Sequence, residues 1–199
     1  MPTLSTLPDA ARLAFTLELT GWESYLVDEH GELVTGSPEE RAAAPFRQYS
    51  DEWIEYRVVL EMLDQTILEG YGDLHAEYDW PWLLEGLEQL VAGEENELRF
   101  EPMEPDFRLF IELVPEPQWE PMEEEEEPLA PEGPQDDDLF DVYAEIDLER
   151  AAGQGSYGGE GLAAHLVLDR AELRRFLEAL RAEHAALGEP PETLVPADE

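Results

Sequence analysis

Asp73, His75, Glu77 and Asp79 alternate with Leu74, Ala76 and Tyr78. On a strand this spacing sets three carboxylates and one imidazole on a single face, from which a zinc or manganese ion could draw ligands. The same spacing equally describes a solvated strand face in a chain where 50 of 199 residues are acidic. At that density ligand-type residues come together by composition alone. A metal-dependent enzyme using these four residues therefore stands third among the functional readings of the chain, and no metal or other cofactor is expected.

The run Gly153-Gln154-Gly155-Ser156-Tyr157-Gly158 satisfies GxGxxG, whose glycines let backbone N–H groups approach a pyrophosphate. That chemistry needs a helix immediately afterwards, whereas Gly159, Glu160 and Gly161 lead into a strand pattern. A hairpin connection is the expectation. Ser156 makes no nucleophile elbow, because Gln154 stands where that turn needs glycine. His30, His75, His165 and His184 have no partner spacing for an acid/base triad, and His184 falls on the apolar stripe of a helix. Paired carboxylates carry no signal when there are fifty of them. With no cysteine, thiolate chemistry and disulfides are excluded, and a non-catalytic chain is expected.

The net charge of -39 is more informative. All eleven cationic side chains are arginine. The stretch Pro115 to Asp138 holds 11 acidic residues and no basic one, which leaves 39 acids against 11 arginines and a charge of -28 in the rest. The body is acidic in its own right. Such a surface repels nucleic acid and anionic membranes and attracts basic proteins. Within the acidic stretch, Trp119 stands among Pro117, Glu120 and Pro121 and suits an interface anchor. Glu123, Glu124, Glu125, Glu126 and Glu127, with Asp136, Asp137 and Asp138, form the expected partner-binding lure beside it.

The elements that must carry these residues are mostly strands. Arg12 to Leu19 and Glu23 to Val27 read as two strands joined around Gly21, with a third at Glu32 to Val34. Gly36 to Ser50 reads as loop and Trp53 to Leu60 as a strand. Asp79 reads as the cap of a helix whose Leu83, Leu84, Leu87, Leu90 and Val91 follow helical spacing up to Gly93. Strands follow at Leu98 to Glu101, Phe107 to Val114, Leu139 to Leu148 and Leu162 to Leu168. Asp169 and Glu172, in capping-box spacing, open a last helix with a stripe of Leu173, Phe176, Leu177, Leu180 and Leu187.

This order predicts an α+β fold: a meandering antiparallel sheet of about six to seven strands with two helices, near 80–92 and 169–187, packed on it. Residues 1–187 are expected to form one domain with a flexible acidic insertion at 115–138, and 188–199 a disordered tail. The N-terminus has no basic n-region, and no span or lipidation motif is visible, so a cytoplasmic location is expected.

The stretch from Trp82 to Val114 resembles the WapI-like bacterial immunity proteins. The likeness lies in the Leu-rich helix ending at Gly93, then Phe100, the Glu104-Pro105 pair and the strand Phe107 to Ile111. It covers roughly half the chain, and the later strand and helix follow the same order. The resemblance implies a small cytoplasmic protein whose partner is a polymorphic, contact-dependent toxin, and it implies no catalytic residues. A non-catalytic acidic protein that occludes a basic, nuclease-type toxin is thus the first functional reading. A salt-adapted acidic domain is the second. Neither nucleic acid nor membrane is an expected partner.

Overall fold

The computed structural model describes residues 2–5, 13–30, 32–35, 37, 41, 44–103, 107–114, 133–147, 161–190 and 195–196. Its strands are β1 Thr3–Ser5, β2 Leu13–Val27, β3 Phe46–Met62, β4 Gln65–His75, β5 Glu97–Phe100, β6 Phe107–Leu113, β7 Leu139–Asp147, β8 Gly161–Asp169 and β9 Val195–Pro196. Helix α1, Asp79–Ala92, follows β4, and α2, Arg170–Leu187, follows β8. The fold is α+β and every strand pairing is antiparallel. The strands divide into two meanders: β1-β2-β3-β4, with β9 on β3, and β5-β6-β7-β8. Four strands and a helix therefore occur twice in succession.

Several strands differ from their expected bounds for identifiable reasons. Gly21 is not a turn: β2 runs through it, with register shifts at Leu19/Gly21 and Trp22/Ser24. A bulge bends a long strand without ending it. On the β1 side of β2, past the Leu17–Pro2 hydrogen bond, the Leu19 N–H donates to Glu183 of α2 at 3.0 Å. Expected strand Glu32 to Val34 is a single bridge, Val27↔Leu33. The hairpin from β3 to β4 turns at Leu63 and Asp64, both at positive φ, 53° and 62°. That conformation normally selects Asn-Gly or Asp-Gly, so the sequence gives no warning of it. Within the expected tail, Val195 and Pro196 pair with Arg47 and Phe46.

Both helices end as their sequences dictate. The Asp169 carboxylate accepts the Glu172 N–H at 2.7 Å, and Gly93 takes the left-handed φ of 71° that lets it close α1. Asp79 differs from expectation. It is the first residue of α1, Tyr78 stands at the cap position, and no side chain caps there.

One hydrophobic cluster draws on both sheets and both helices. Alternation puts Phe15, Leu17, Ile54, Tyr56 and Val58 on the inner face of the first sheet, and Phe107, Leu109, Ile111, Phe140, Val142 and Ala144 on that of the second. Phe107 is the meeting point, with ring centroids 6.0 Å from Phe15, 5.1 Å from Tyr56 and 5.6 Å from Phe100. His184 stacks on Trp80 between the helices at 4.8 Å, and burial holds its pKa below the ordinary value.

Arg170 joins these parts from the inside. Only 2% exposed, its guanidinium donates to the Asp138 carboxylate at 2.7 and 3.1 Å and to the Gln135 carbonyl at 3.0 Å. It also donates to the Leu90 carbonyl in the last turn of α1 and lies 5.0 Å over the Phe140 ring. A cation at a helix C-terminus is favoured by the exposed carbonyls there. Removing one partner of a buried pair leaves the other charge without compensation. Arg170→Ala is expected to cost about 3–5 kcal/mol of unfolding free energy in urea denaturation, against under about 1 kcal/mol for Arg175→Ala, whose Glu172 pair is on the surface.

Candidate functional site

The four alternating ligand-type residues do not assemble. Asp73, in β4, pairs across the sheet with Glu55 of β3, and β4 ends at His75. His75 Nδ1 accepts the Glu77 N–H at 3.2 Å, and the ring lies edge-on to Trp53. Asp79 is buried, and its two oxygens accept the N–H groups of His75 at 2.9 Å and Met103 at 3.1 Å. This carboxylate is spent on tying the start of α1 to two chain segments. Among the described residues no group of three or more His, Asp or Glu could hold a metal ion. The GxGxxG run at 153–158 lies outside the described residues.

Of the expected partner-binding residues, Trp119 and Glu123 to Glu127 also lie outside the described residues. Asp136, Asp137 and Asp138 form a turn at the start of α2. The carbonyls of Asp138 and Asp136 accept the N–H groups of Arg170 and Ala171 at 3.0 and 3.3 Å, which would otherwise be orphaned at the helix N-terminus. The Asp136 carboxylate binds Arg174 at 2.8 Å, and that of Asp138 binds Arg170. Asp137 is exposed. Two of the three aspartates thus hold the fold together, a role that charge-run reasoning could not supply.

The outer face of the second sheet is organised in rows set by strand register. Arg99, Phe110, Tyr143 and His165 are successive cross-strand partners from β5 to β8. The Arg99 guanidinium lies 5.0 Å over Phe110, Phe110 is 6.1 Å from Tyr143, and Tyr143 stacks on His165 at 4.5 Å with the rings 4° from parallel. On one side runs Glu97, Glu112, Asp141 and Val167 in register. On the other, Arg108, Glu145 and Ala163 pair across, with Glu101 beside Arg108. Arg108 binds Glu101 at 2.9 Å and Glu145 at 3.3 Å. Between the aromatic row and this last row lies an open cavity of about 480 Å³. Sequence reading missed this face, although Phe110 and Tyr143 at outward positions of otherwise inward-apolar strands were visible hints.

The outer face of the first sheet has a different character. Arg57 holds Glu69 at 2.7 Å and Glu18 at 3.2 Å. Beyond that trio, Glu23 acts on both Glu55 and Tyr25, Asp73 acts on Tyr25, and Arg47 is the cation near Glu55. Burial first, then the charge of Glu23, pushes the Glu55 carboxyl pKa up, with Arg47 opposing. Tyr25, hydrogen-bonded to Glu23, is pushed up to about 12, by that bond first and then by burial.

No protein-family model matches the chain, and no curated protein matches it. A solved structure, that of the plant transcriptional regulator PBF-2, aligns with 93% of this chain and 84% of its own at a TM-score of 0.36 and 11% identity. So slight a likeness transfers neither fold nor function. Among the described residues, no helix is long and apolar enough to cross a membrane.

A carboxyl whose folded pKa is raised binds its proton more tightly in the folded state, so ionising it costs stability as pH rises through the ordinary carboxylate range and beyond. Glu55→Gln is therefore expected to raise the melting temperature at pH 7. The gain should vanish below about pH 4, where glutamate is protonated in both states. Thermal melts of both proteins from pH 4 to 8 check this.

Proposed function

We propose that this chain is a non-catalytic acidic binding protein that docks on a basic protein and occludes it, in its most concrete form an immunity protein against a nuclease-type toxin. The observation that carries the reading is where the arginines go. Among the described residues, Arg57, Arg99, Arg108, Arg170, Arg174, Arg175 and Arg181 stand in ion pairs with the chain's own carboxylates. Fifty acids against eleven arginines still leave the chain at -39. A cationic surface would relieve the mutual repulsion of so many carboxylates. Proteins that act on nucleic acid present positive grooves, which such a surface can fill. Trp119, Glu123 to Glu127 and Asp137 remain part of the proposed contact, while Asp136 and Asp138 serve α2.

The test is titration of the purified chain with the basic domain encoded beside its gene, by calorimetry at low ionic strength. A one-to-one complex that weakens by about tenfold or more as salt rises from 50 to 500 mM, and that silences the domain's nuclease activity, is expected. No binding at the lowest salt would remove this reading.

The distribution of acid favours a second reading, since -28 remains outside the Pro115 to Asp138 stretch. A salt-adapted domain would owe its charge to its solvent. Its melting temperature should climb continuously up to molar KCl, whereas a charge directed at a partner predicts a plateau near physiological strength, where repulsion is already screened. Melting curves in graded KCl separate the two.

A further inference from the structure

We propose that the outer face of the second sheet is the surface that receives the basic partner, and that it does so by seating the partner's arginine side chains along the Phe110–Tyr143 row. This inference rests on the reading of the chain as a binder of basic proteins and adds the place and the preferred side chain.

Three features of the face point there. The first is its layout: two aromatic rings at the centre of a sheet, Phe110 half-buried and Tyr143 42% exposed, bordered on both sides by rows that carry carboxylates. An apolar aromatic centre within a charged rim is the anatomy of an interface whose binding energy concentrates in a few anchors. The second is charge. Glu97, Glu101, Glu112, Asp141 and Glu145 stand against Arg99 and Arg108, so the face is net negative even after its own arginines are counted. The third is that this face already accommodates guanidinium groups in both of the ways a partner would need. The Arg99 guanidinium lies 5.0 Å over the Phe110 ring, and Arg108 is gripped between Glu101 and Glu145.

Each of those two carboxylates is engaged by Arg108 through one oxygen. The second oxygen of a carboxylate can accept a further N–H. Across the sheet from Glu145 stands Ala163, whose short side chain leaves the notch beside Tyr143 open, and the cavity of about 480 Å³ occupies it. That volume lies within the range of ligand-holding clefts. His165 covers one face of Tyr143, so a guanidinium entering the cavity can pack against the Phe110 side of that ring while donating to Glu145 or Glu101, a combination that a planar group achieves and a tetrahedral ammonium does not. Arginine rather than lysine is the preferred guest for this reason.

The probes are poly-arginine and poly-lysine peptides of equal length, titrated by fluorescence anisotropy at low salt against the full chain and its variants, with a thermal melt of each variant to verify folding. The wild type is expected to bind the arginine peptide more tightly. Tyr143→Ala and Phe110→Ala are expected to weaken it by about tenfold or more, as loss of an interface anchor does, and to erase the arginine preference. Tyr143→Phe, which keeps the ring, should bind as wild type. Glu145→Gln should weaken the arginine peptide without lowering the melting temperature. The paired change Glu23→Gln with Glu55→Gln, on the other sheet, should leave the arginine preference intact. Binding that survives Tyr143→Ala and Phe110→Ala unchanged, or that is lost with the Glu23 and Glu55 pair instead, overturns the docking face while leaving a basic-protein binder standing. Failure of both peptides to bind at low salt overturns both.

Discussion

A buried guanidinium holds this fold together. Arg170 opens α2, yet its side chain reaches the last turn of α1, the turn before β7 and the ring of Phe140 within β7. No apolar residue could satisfy the Leu90 and Gln135 carbonyls and the Asp138 carboxylate at once. A charge taken out of water in this way is tolerated only when it is hydrogen-bonded, and here each guanidinium nitrogen has an acceptor. The two halves of the chain, each four strands and a helix, are thereby locked at the point where their helices meet.

Around that lock the apolar core does the larger share of the work. Both sheets turn their inner faces to a common cluster centred on Phe107, and the helices close it. Since inner faces are taken by the core and strands alternate, every second residue of eight paired strands is forced outward. In a chain of charge -39 those outward positions become broad acidic faces, and the few arginines are used to keep them from flying apart. Arg57 bridges Glu18 and Glu69 on one face, and Arg108 bridges Glu101 and Glu145 on the other. The faces are not equivalent. One crowds Glu23, Glu55 and Asp73, and the other carries a row of rings.

Much of this was legible in advance where local chemistry decides. Helix α2 follows from the Asp169 cap and its apolar stripe, and the end of α1 from Gly93, because both signals act within a few residues. The α+β class and antiparallel pairing follow from short alternating runs. What escaped was decided by neighbours distant in sequence. Gly21 reads as a turn until a partner strand continues past it, and Leu63-Asp64 does not read as a hairpin because neither residue prefers the conformation it adopts. Asp73, His75, Glu77 and Asp79 read as one strand face, but the strand stops at His75 and Asp79 is drawn inward by backbone N–H groups from either side.

Composition and periodicity alone settle the sign of the surface, the absence of thiol chemistry, the secondary-structure class and the two helices, since each depends on counts or on contacts within a turn or two. The division of the strands into two sheets belongs to tertiary structure. So do the pairing of Asp136 and Asp138 with arginines of α2 and the alignment of Arg99, Phe110, Tyr143 and His165 into one row. Register is the physical reason. A shift of a single residue in any strand would send these rings to the core side, and nothing in a linear sequence fixes which residues of four separate strands will stand abreast.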